Sequence, residues 1–230
     1  MLSELENALV KNRNNFHPVV RFDPAKEKLF HFDFTSANTE LRPADISDTD
    51  LFSKYIDHKL ATSGSRYGIG GYGENRTLYR RSKLFSGQEE RSVHLGIDIW
   101  GNAGTKIYAP LGGMVHSFAF NGNFGDYGAT IILLHQLETV SFHTLYGHLS
   151  LDDIAGLSQG AYITRGEIIG HFGKPEENGN WPPHLHFQVI KDIQLKEGDY
   201  PGVCAPSEKQ RYLMNCPDPD LLLNMMKYLS

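Results

Sequence analysis

The sequence predicts a mainly β protein whose core is an antiparallel barrel or sandwich, with a helical N-terminal extension and a C-terminal helix. In residues 91–192, short runs of β-branched and aromatic residues alternate with glycine turns, a pattern typical of many short strands. The chain has 230 residues, of which 40% are apolar and 21% charged, the composition of an ordinary folded protein. Its two cysteines, Cys204 and Cys216, exclude a fold that depends on a disulfide framework.

Three segments are predicted along the chain. Residues 1–90 form a mixed α/β extension, residues 91–192 form the β core, and residues 193–230 form a C-terminal arm and helix. The last fourteen residues, PDPDLLLNMMKYLS, predict that final helix because prolines stand at its start. In the extension, a helix is expected to begin after Ser47 or Asp48 and to stop at a glycine.

A glycine-rich segment joins the extension to the core. Its five glycines between positions 68 and 87 predict a loop, and the missing GKS or GKT ending argues against a phosphate-binding loop. A cluster of basic residues within this segment predicts a solvated or substrate-facing surface: Arg76, Arg80, Arg81 and Lys83.

Charge and hydropathy exclude two classes of partner. The formal net charge of −5 argues against a protein whose main partner is nucleic acid. No stretch approaches the ~18 consecutive apolar residues of a membrane span. The first twenty residues lack the apolar core of a secretory signal, which predicts a cytoplasmic location. The eleven histidines are suited to metal binding or to acid–base chemistry near neutral pH.

The segment VHLGIDIW, residues 93–100, alternates apolar and polar residues as a strand does. His94 and Asp98 share its polar face, but in a straight strand they would lie about 13 Å apart, at about 3.3 Å per residue. Two ligands of one zinc ion must both bring a donor atom to about 2.0–2.2 Å from it. We therefore expect the strand to bend between them, at Gly96.

The segment PPHLHFQVI, residues 182–190, has the same alternation. His184, His186 and Gln188 are expected on one face, and the intervening apolar residues on the face toward the core. Two imidazoles two residues apart on a strand lie side by side. One could bind a metal while the other stays near the open position of that metal.

A third strand is predicted at TLYGHLS, residues 144–150. Thr144, Tyr146 and His148 are expected to share one face of it. A single histidine on a strand is usually a surface or hydrogen-bonded residue. Three strands that each present histidine or aspartate opposite a core-like face favour a metal site.

These motifs resemble those of the lysostaphin-type, or LytM-type, zinc endopeptidases, which cut peptidoglycan cross-bridges. The matching segments stand in the family's order: HLGID at 94–98, TKIYAP at 105–110, GMV at 113–115, YGHLS at 146–150 and HLHF at 184–187. The resemblance implies the compact β fold of this family, two antiparallel sheets with an open groove. It covers a little under half of the chain.

The resemblance also implies roles for five residues. His94, Asp98 and His186 would bind zinc, and His148 and His184 would be the catalytic histidines. A zinc-bound water would attack a carbonyl of a peptide or peptidoglycan-like substrate with their help. Three protein ligands with a vacant fourth position are typical of a catalytic zinc rather than a structural one.

Four residues next to these motifs are candidates for the walls of the substrate groove: Asn123, Tyr127, Tyr146 and Trp181. Two other functions stay open at this point. One is a non-catalytic binding or regulatory module on the same fold. The other is a histidine phosphocarrier, against which the ligand position of Asp98 speaks. The sequence leaves the oligomeric state open.

Overall fold

The computed structural model describes residues 2–229 and is dominated by β-strands. The strands are β1 (Leu29–Phe32), β2 (Tyr67–Gly70), β3 (Val93–His94), β4 (Ile97–Trp100), β5 (Lys106–Tyr108), β6 (Gly113–Asn121), β7 (Gly128–Leu137), β8 (Val140–Leu149), β9 (Tyr162–Ile163), β10 (Ile168–His171), β11 (His184–Ile190) and β12 (Val203–Cys204). The α-helices are α1 (Glu4–Asn12), α2 (Pro43–Ser47), α3 (Thr49–Ser63), α4 (Lys209–Asn215) and α5 (Asp220–Leu223).

Eight strands form one sheet in the order β1-β2-β4-β11-β8-β7-β6-β9, and all neighbours in it are antiparallel except β1 and β2. Two small sheets, β10-β5 and β12-β3, complete the β structure. Ile107 of β5 and Ile169 of β10 contribute to the same hydrophobic core as the large sheet. Among the described residues the edge strands β1 and β9 do not pair, so the predicted mainly β fold is confirmed as a sandwich rather than a closed barrel.

Strand β11 lies near the middle of the large sheet and separates the core from the polar face. Its side chains at Leu185, Phe187 and Val189 are buried in the main hydrophobic core. His186 pairs with Asp98 of β4 on one side and with Gly147 of β8 on the other. Because paired residues of antiparallel strands face the same way, the polar residues of β4 and β11 converge on the face opposite the core.

Helix α3 begins and ends where the sequence predicts. The carboxylate of Asp48 accepts hydrogen bonds from the backbone N–H groups of Asp50 and Leu51, and Gly64 closes the helix in the left-handed conformation, with φ of +64°. The C-terminal helix prediction is wrong in length. Helix α5 spans only four residues, because Asn224 adopts a left-handed conformation directly after it, and a 3-10 turn follows.

The glycine-rich segment is not a loop throughout, as the sequence analysis expects, because Tyr67–Gly70 forms the interior strand β2. A Cβ atom added at Gly68 would lie 2.0 Å from the ring of Phe32, so the glycine allows that ring to cross the strand. The sequence pattern cannot distinguish this use of glycine from a flexible turn.

The substitution Gly68→Ala is expected to lower the free energy of unfolding by about 1–3 kcal/mol, because the methyl group overlaps the Phe32 ring. Urea denaturation measures the change. Gly87→Ala is the matched control, since a Cβ there meets only one atom, at 3.5 Å, and its expected effect is within about 0.5 kcal/mol. Equal unfolding free energies for the two variants would contradict the close approach.

Candidate functional site

The chain bends between His94 and Asp98 as the spacing predicts. Strand β3 ends at His94 and β4 begins at Ile97, so the alternation is interrupted at Gly96. A Cβ atom at Gly96 would lie 2.6 Å from the imidazole of His186 and 2.7 Å from the carbonyl oxygen of Phe187. Glycine therefore allows the bend to pass directly over the His186 ring.

Three donor atoms meet at this bend, and they come from the three residues predicted to bind zinc. The Nε2 atom of His94 lies 2.9 Å from Nδ1 of His186 and 3.2 Å from Oδ1 of Asp98, and the remaining edge of the triangle is 3.1 Å. Ligand atoms of a tetrahedral zinc, each about 2.0–2.2 Å from the ion, are about 3.3–3.6 Å apart. The triangle is therefore close to the size that one zinc ion requires.

The outer hydrogen bonds of the two imidazoles fix which nitrogen carries the proton. Nδ1 of His94 lies 3.0 Å from the carbonyl oxygen of Gly71, which can only accept, so this nitrogen is the donor. Nε2 of His186 lies 2.9 Å from Oε1 of Gln188, whose amide nitrogen donates to Pro201. Both nitrogens that face the triangle therefore carry lone pairs. Partners of this kind orient histidine ligands in metal sites.

Electrostatics keep these groups in the metal-binding protonation state. Burial lowers the pKa of His94 to about 3, which favours the neutral imidazole. Burial alone would raise the pKa of Asp98, but the guanidinium of Arg76 holds it well below its usual value. Nη1 of Arg76 donates to Oδ2 of Asp98 at 2.5 Å, so Asp98 is an ionised carboxylate.

The two predicted catalytic histidines form a pair beside the triangle. The rings of His148 and His184 are 4.0 Å apart between centroids, and His148 lies 6.3 Å from the ring of His186. The Nδ1 atoms of the pair donate to the carbonyl oxygens of Asn178 and Pro182, at 2.8 Å and 2.7 Å. Burial lowers the pKa of His184 to about 4 and that of His148 well below its usual value. Each is therefore a neutral imidazole whose Nε2 can accept a proton.

His148 reaches the site through an irregular backbone. Its φ of +64° lies in the left-handed region, which is uncommon for a residue other than glycine, and strand β8 has one more residue than β7 at this point. The alternation is broken there, so the expectation that Tyr146 shares a face with His148 is wrong. Tyr146 packs edge-on against Phe187 in the main core, at 5.3 Å between ring centroids.

A pocket opens over the two histidine groups, and it includes two of the four predicted groove residues. Tyr127 and Trp181 line it, whereas Asn123 is exposed in the adjacent turn and the buried Tyr146 lies outside it. Other walls come from five residues before the core and from Asp199–Val203 after it. The five are Leu78, Tyr79, Leu84, Phe85 and Arg91. The five predicted metal-binding and catalytic side chains are each at most 6% exposed.

Three residues hold the site together although the sequence analysis gives them no role in it. Arg76 is buried against Asp98 and is not part of a basic surface, so that prediction is wrong for this arginine. Asn178 is fully buried, accepts the N–H of His148 through its backbone carbonyl, and bonds through its side chain to both backbone groups of Trp181. Only Gln188 has a signal in the sequence, its position two residues after His186 on the same face.

Among residues 2–229, no α-helix combines the length and apolarity that crossing a bilayer requires.

Comparison with known proteins finds a family model that matches the β core. Residues 92–198 match peptidase family M23. A curated relative, the L-Ala–D-Glu endopeptidase of Bacillus subtilis (strain 168), is 27% identical over 122 residues. That alignment covers 51% of this chain and 34% of the relative, so the chain spans about a third of the length of the curated relative it matches.

Solved structures of a zinc-containing peptidase and of an antimicrobial peptidase are also similar to this chain. A zinc-containing peptidase from Vibrio cholerae is 28% identical, with 43% of this chain and 27% of that chain covered and a TM-score of 0.35. The catalytic domain of lysostaphin from Staphylococcus simulans is 20% identical, with 69% and 97% covered and a TM-score of 0.37. The family match at residues 92–198 agrees with the resemblance drawn from the motifs.

Proposed function

We propose that the protein is a zinc-dependent metallopeptidase of the lysostaphin type that hydrolyses an amide bond in a peptide or peptidoglycan-like substrate. His94, Asp98 and His186 would hold the zinc, and His148 and His184 would act on the substrate. The family match and the name of the Bacillus subtilis relative support a peptidoglycan peptide as the substrate class.

One observation carries the metal assignment. Three acceptor atoms face each other at 2.9–3.2 Å, and the protons of both imidazoles are directed outward, toward Gly71 and Gln188. Lone pairs at this separation repel one another unless a cation lies between them. Two imidazole nitrogens and a carboxylate oxygen are a donor set suited to zinc.

When bound, zinc supplies Lewis-acid chemistry, because it polarises a carbonyl and lowers the pKa of water toward about 7. His148 and His184 would carry out the proton transfers. Their lone pairs at Nε2 can accept a proton from water, and an imidazole that has gained a proton can donate it to the departing amine. The backbone carbonyls of Asn178 and Pro182 keep the rings oriented for this.

The pocket walls fit a peptide. Tyr127, Trp181 and Tyr79 provide apolar surface beside the histidines, and Asp126, Asp199 and Arg91 provide charged groups in the same lining. A mixture of aromatic and charged side chains suits an extended chain that carries both apolar and ionic groups. The phosphocarrier alternative receives no support from this arrangement. The Nε2 atoms of His148 and His184 share the site with the carboxylate of Asp98, whose negative charge would repel a phosphate group.

Metal analysis combined with a cleavage assay tests the proposal. Purified protein is expected to hold about one zinc per chain, and the zinc-loaded protein should cleave peptidoglycan fragments or an L-Ala–D-Glu peptide. Removal of the ion with a chelator should abolish cleavage, and added zinc should restore it. A matched peptide of L-residues with the same length is the substrate control. Protein that cannot take up zinc, or a zinc-loaded protein that cleaves none of these substrates, would contradict the proposal. The cytoplasmic location stays a prediction.

A further inference from the structure

We infer that Arg76 is a positioning residue of the metal site, which holds Asp98 so that only its Oδ1 atom faces the ion. The inference rests on the proposed metal site and extends it to a residue outside the family match at 92–198. Arg76 lies in the connection after β2, 22 residues before the aspartate it contacts.

The two oxygens of Asp98 have different partners. Oδ2 accepts from Nη1 of Arg76 at 2.5 Å, while Oδ1 lies 3.2 Å from His94 and 3.1 Å from His186. A carboxylate that binds a metal through both oxygens would have to turn Oδ2 away from the guanidinium. The contact with Arg76 therefore favours a single metal–oxygen bond, which leaves a coordination position for the substrate or water.

The guanidinium is itself held firmly. Arg76 is 2% exposed, and its Nε donates to Oε2 of Glu74 at 2.6 Å. The backbone N–H of Arg76 donates to the carbonyl of Ser92, and that of His94 donates to the carbonyl of Glu74, at 2.8 Å and 2.9 Å. The arginine and the ligand His94 therefore lie on directly hydrogen-bonded segments.

Strand β2 is shaped to leave room for this guanidinium. Gly70 pairs with Asp98 in the register of β2 and β4. A Cβ atom there would lie 3.1 Å from Nη2 of Arg76 and 3.3 Å from the carbonyl oxygen of Phe32. The substitution Gly70→Ala therefore presses on the guanidinium and alters no charged group.

Charge and position predict opposite effects for the loss of Arg76. A cation beside a metal ligand repels the metal, so removal of its charge alone would strengthen zinc binding. Loss of an outer partner of a metal ligand weakens metal binding by about 10–100-fold. The sign of the change in affinity therefore separates a positioning role from an effect of charge.

Two measurements on the full chain test the inference. Zinc affinity is measured by competition with a chelator, and the visible absorption spectrum of the cobalt-loaded protein reports the coordination number. Arg76→Gln is expected to weaken zinc binding by about 10–100-fold and to reduce the intense absorption of four-coordinate cobalt. Arg76→Lys and Gly70→Ala should shift both measurements in the same direction by smaller amounts. Arg80→Gln is the matched control, because Arg80 is exposed and pairs only with the exposed Glu90, at 3.1 Å.

The outcomes separate this inference from the proposed function. Wild-type protein that binds no zinc contradicts the function itself. Wild-type protein that binds zinc, together with Arg76 and Gly70 variants of unchanged affinity and cobalt spectrum, overturns the inference alone, even if those variants melt at a lower temperature. Tighter zinc binding by Arg76→Gln also overturns it. Should Arg76→Gln fail to fold, Arg76→Lys and Gly70→Ala decide the result by the same criteria.

Discussion

The variant Asp98→Ala is expected to lose zinc binding and, with it, all peptide cleavage. In the proposed site, Asp98 would provide one of three ligand atoms, and it carries the only negative charge in the triangle. Loss of a residue that only hydrogen-bonds to a metal ligand weakens metal binding by about 10–100-fold. Loss of Asp98 should weaken zinc binding by more than this, because the ligand atom itself is removed. Elemental analysis and chelator competition measure the change.

A second effect of this variant concerns stability. Removal of Asp98 leaves the buried guanidinium of Arg76 with Glu74 as its one remaining carboxylate partner. Breaking a buried ion pair costs about 3–5 kcal/mol when the remaining charge has no partner, and we expect a smaller loss here. The metal-free unfolding free energy therefore belongs in the experiment.

His94→Ala is the companion variant, since it should lose zinc without touching Arg76. His58→Ala is the control, because His58 is exposed on helix α3 and far along the chain from the site. Zinc bound at the wild-type level by both Asp98→Ala and His94→Ala would refute the ligand assignment.

The variant His184→Ala is expected to keep its zinc and to lose cleavage activity by about 100- to 10,000-fold, the usual contribution of a general acid or base. His184 stacks on Trp100 at 3.9 Å and points no ligand atom into the triangle. His148→Ala should behave in the same way. Steady-state cleavage rates and zinc content are measured on the same samples.

His116→Gln serves as the control for this pair, because His116 lies on β6 and contacts Ser117 and His143 rather than the pocket. Cleavage that survives in both His148→Ala and His184→Ala would remove the two-histidine mechanism. A zinc-loaded wild type that binds peptides but never cleaves them would favour the non-catalytic alternative.

The site could be predicted from the sequence wherever apolar and polar residues alternate along a regular strand, because the alternation then shows which side chains lie on each face. The residues of β11 obey it, so His184, His186 and Gln188 were placed correctly relative to the core. The bend at Gly96 followed from a distance argument, since a straight strand would hold His94 and Asp98 too far apart for one ion. Their roles as ligands came from the resemblance to the zinc endopeptidases. Helix α3 followed from its capping residues.

Alternation fails where the backbone is irregular. The left-handed φ of His148 turns its side chain to the face opposite that of Tyr146. Nothing in the sequence TLYGHLS predicts this backbone conformation. Arg76 illustrates a different limit. Its pairing with Asp98 depends on the position of β2 beside β4, a tertiary contact that a single sequence does not encode in any local pattern.

The pairing of β4 with β2 affects how the region matched by the family model can be moved between proteins. The family match begins at residue 92, yet β2, at residues 67–70, pairs along β4 at three positions. A gene fusion that starts at residue 91 would lack β2 and would leave amide and carbonyl groups of β4 without a hydrogen-bond partner. Such an exposed edge strand can pair with another chain and promotes aggregation. The smallest transplantable unit that contains the matched region therefore begins before β1, well upstream of the boundary that sequence similarity suggests.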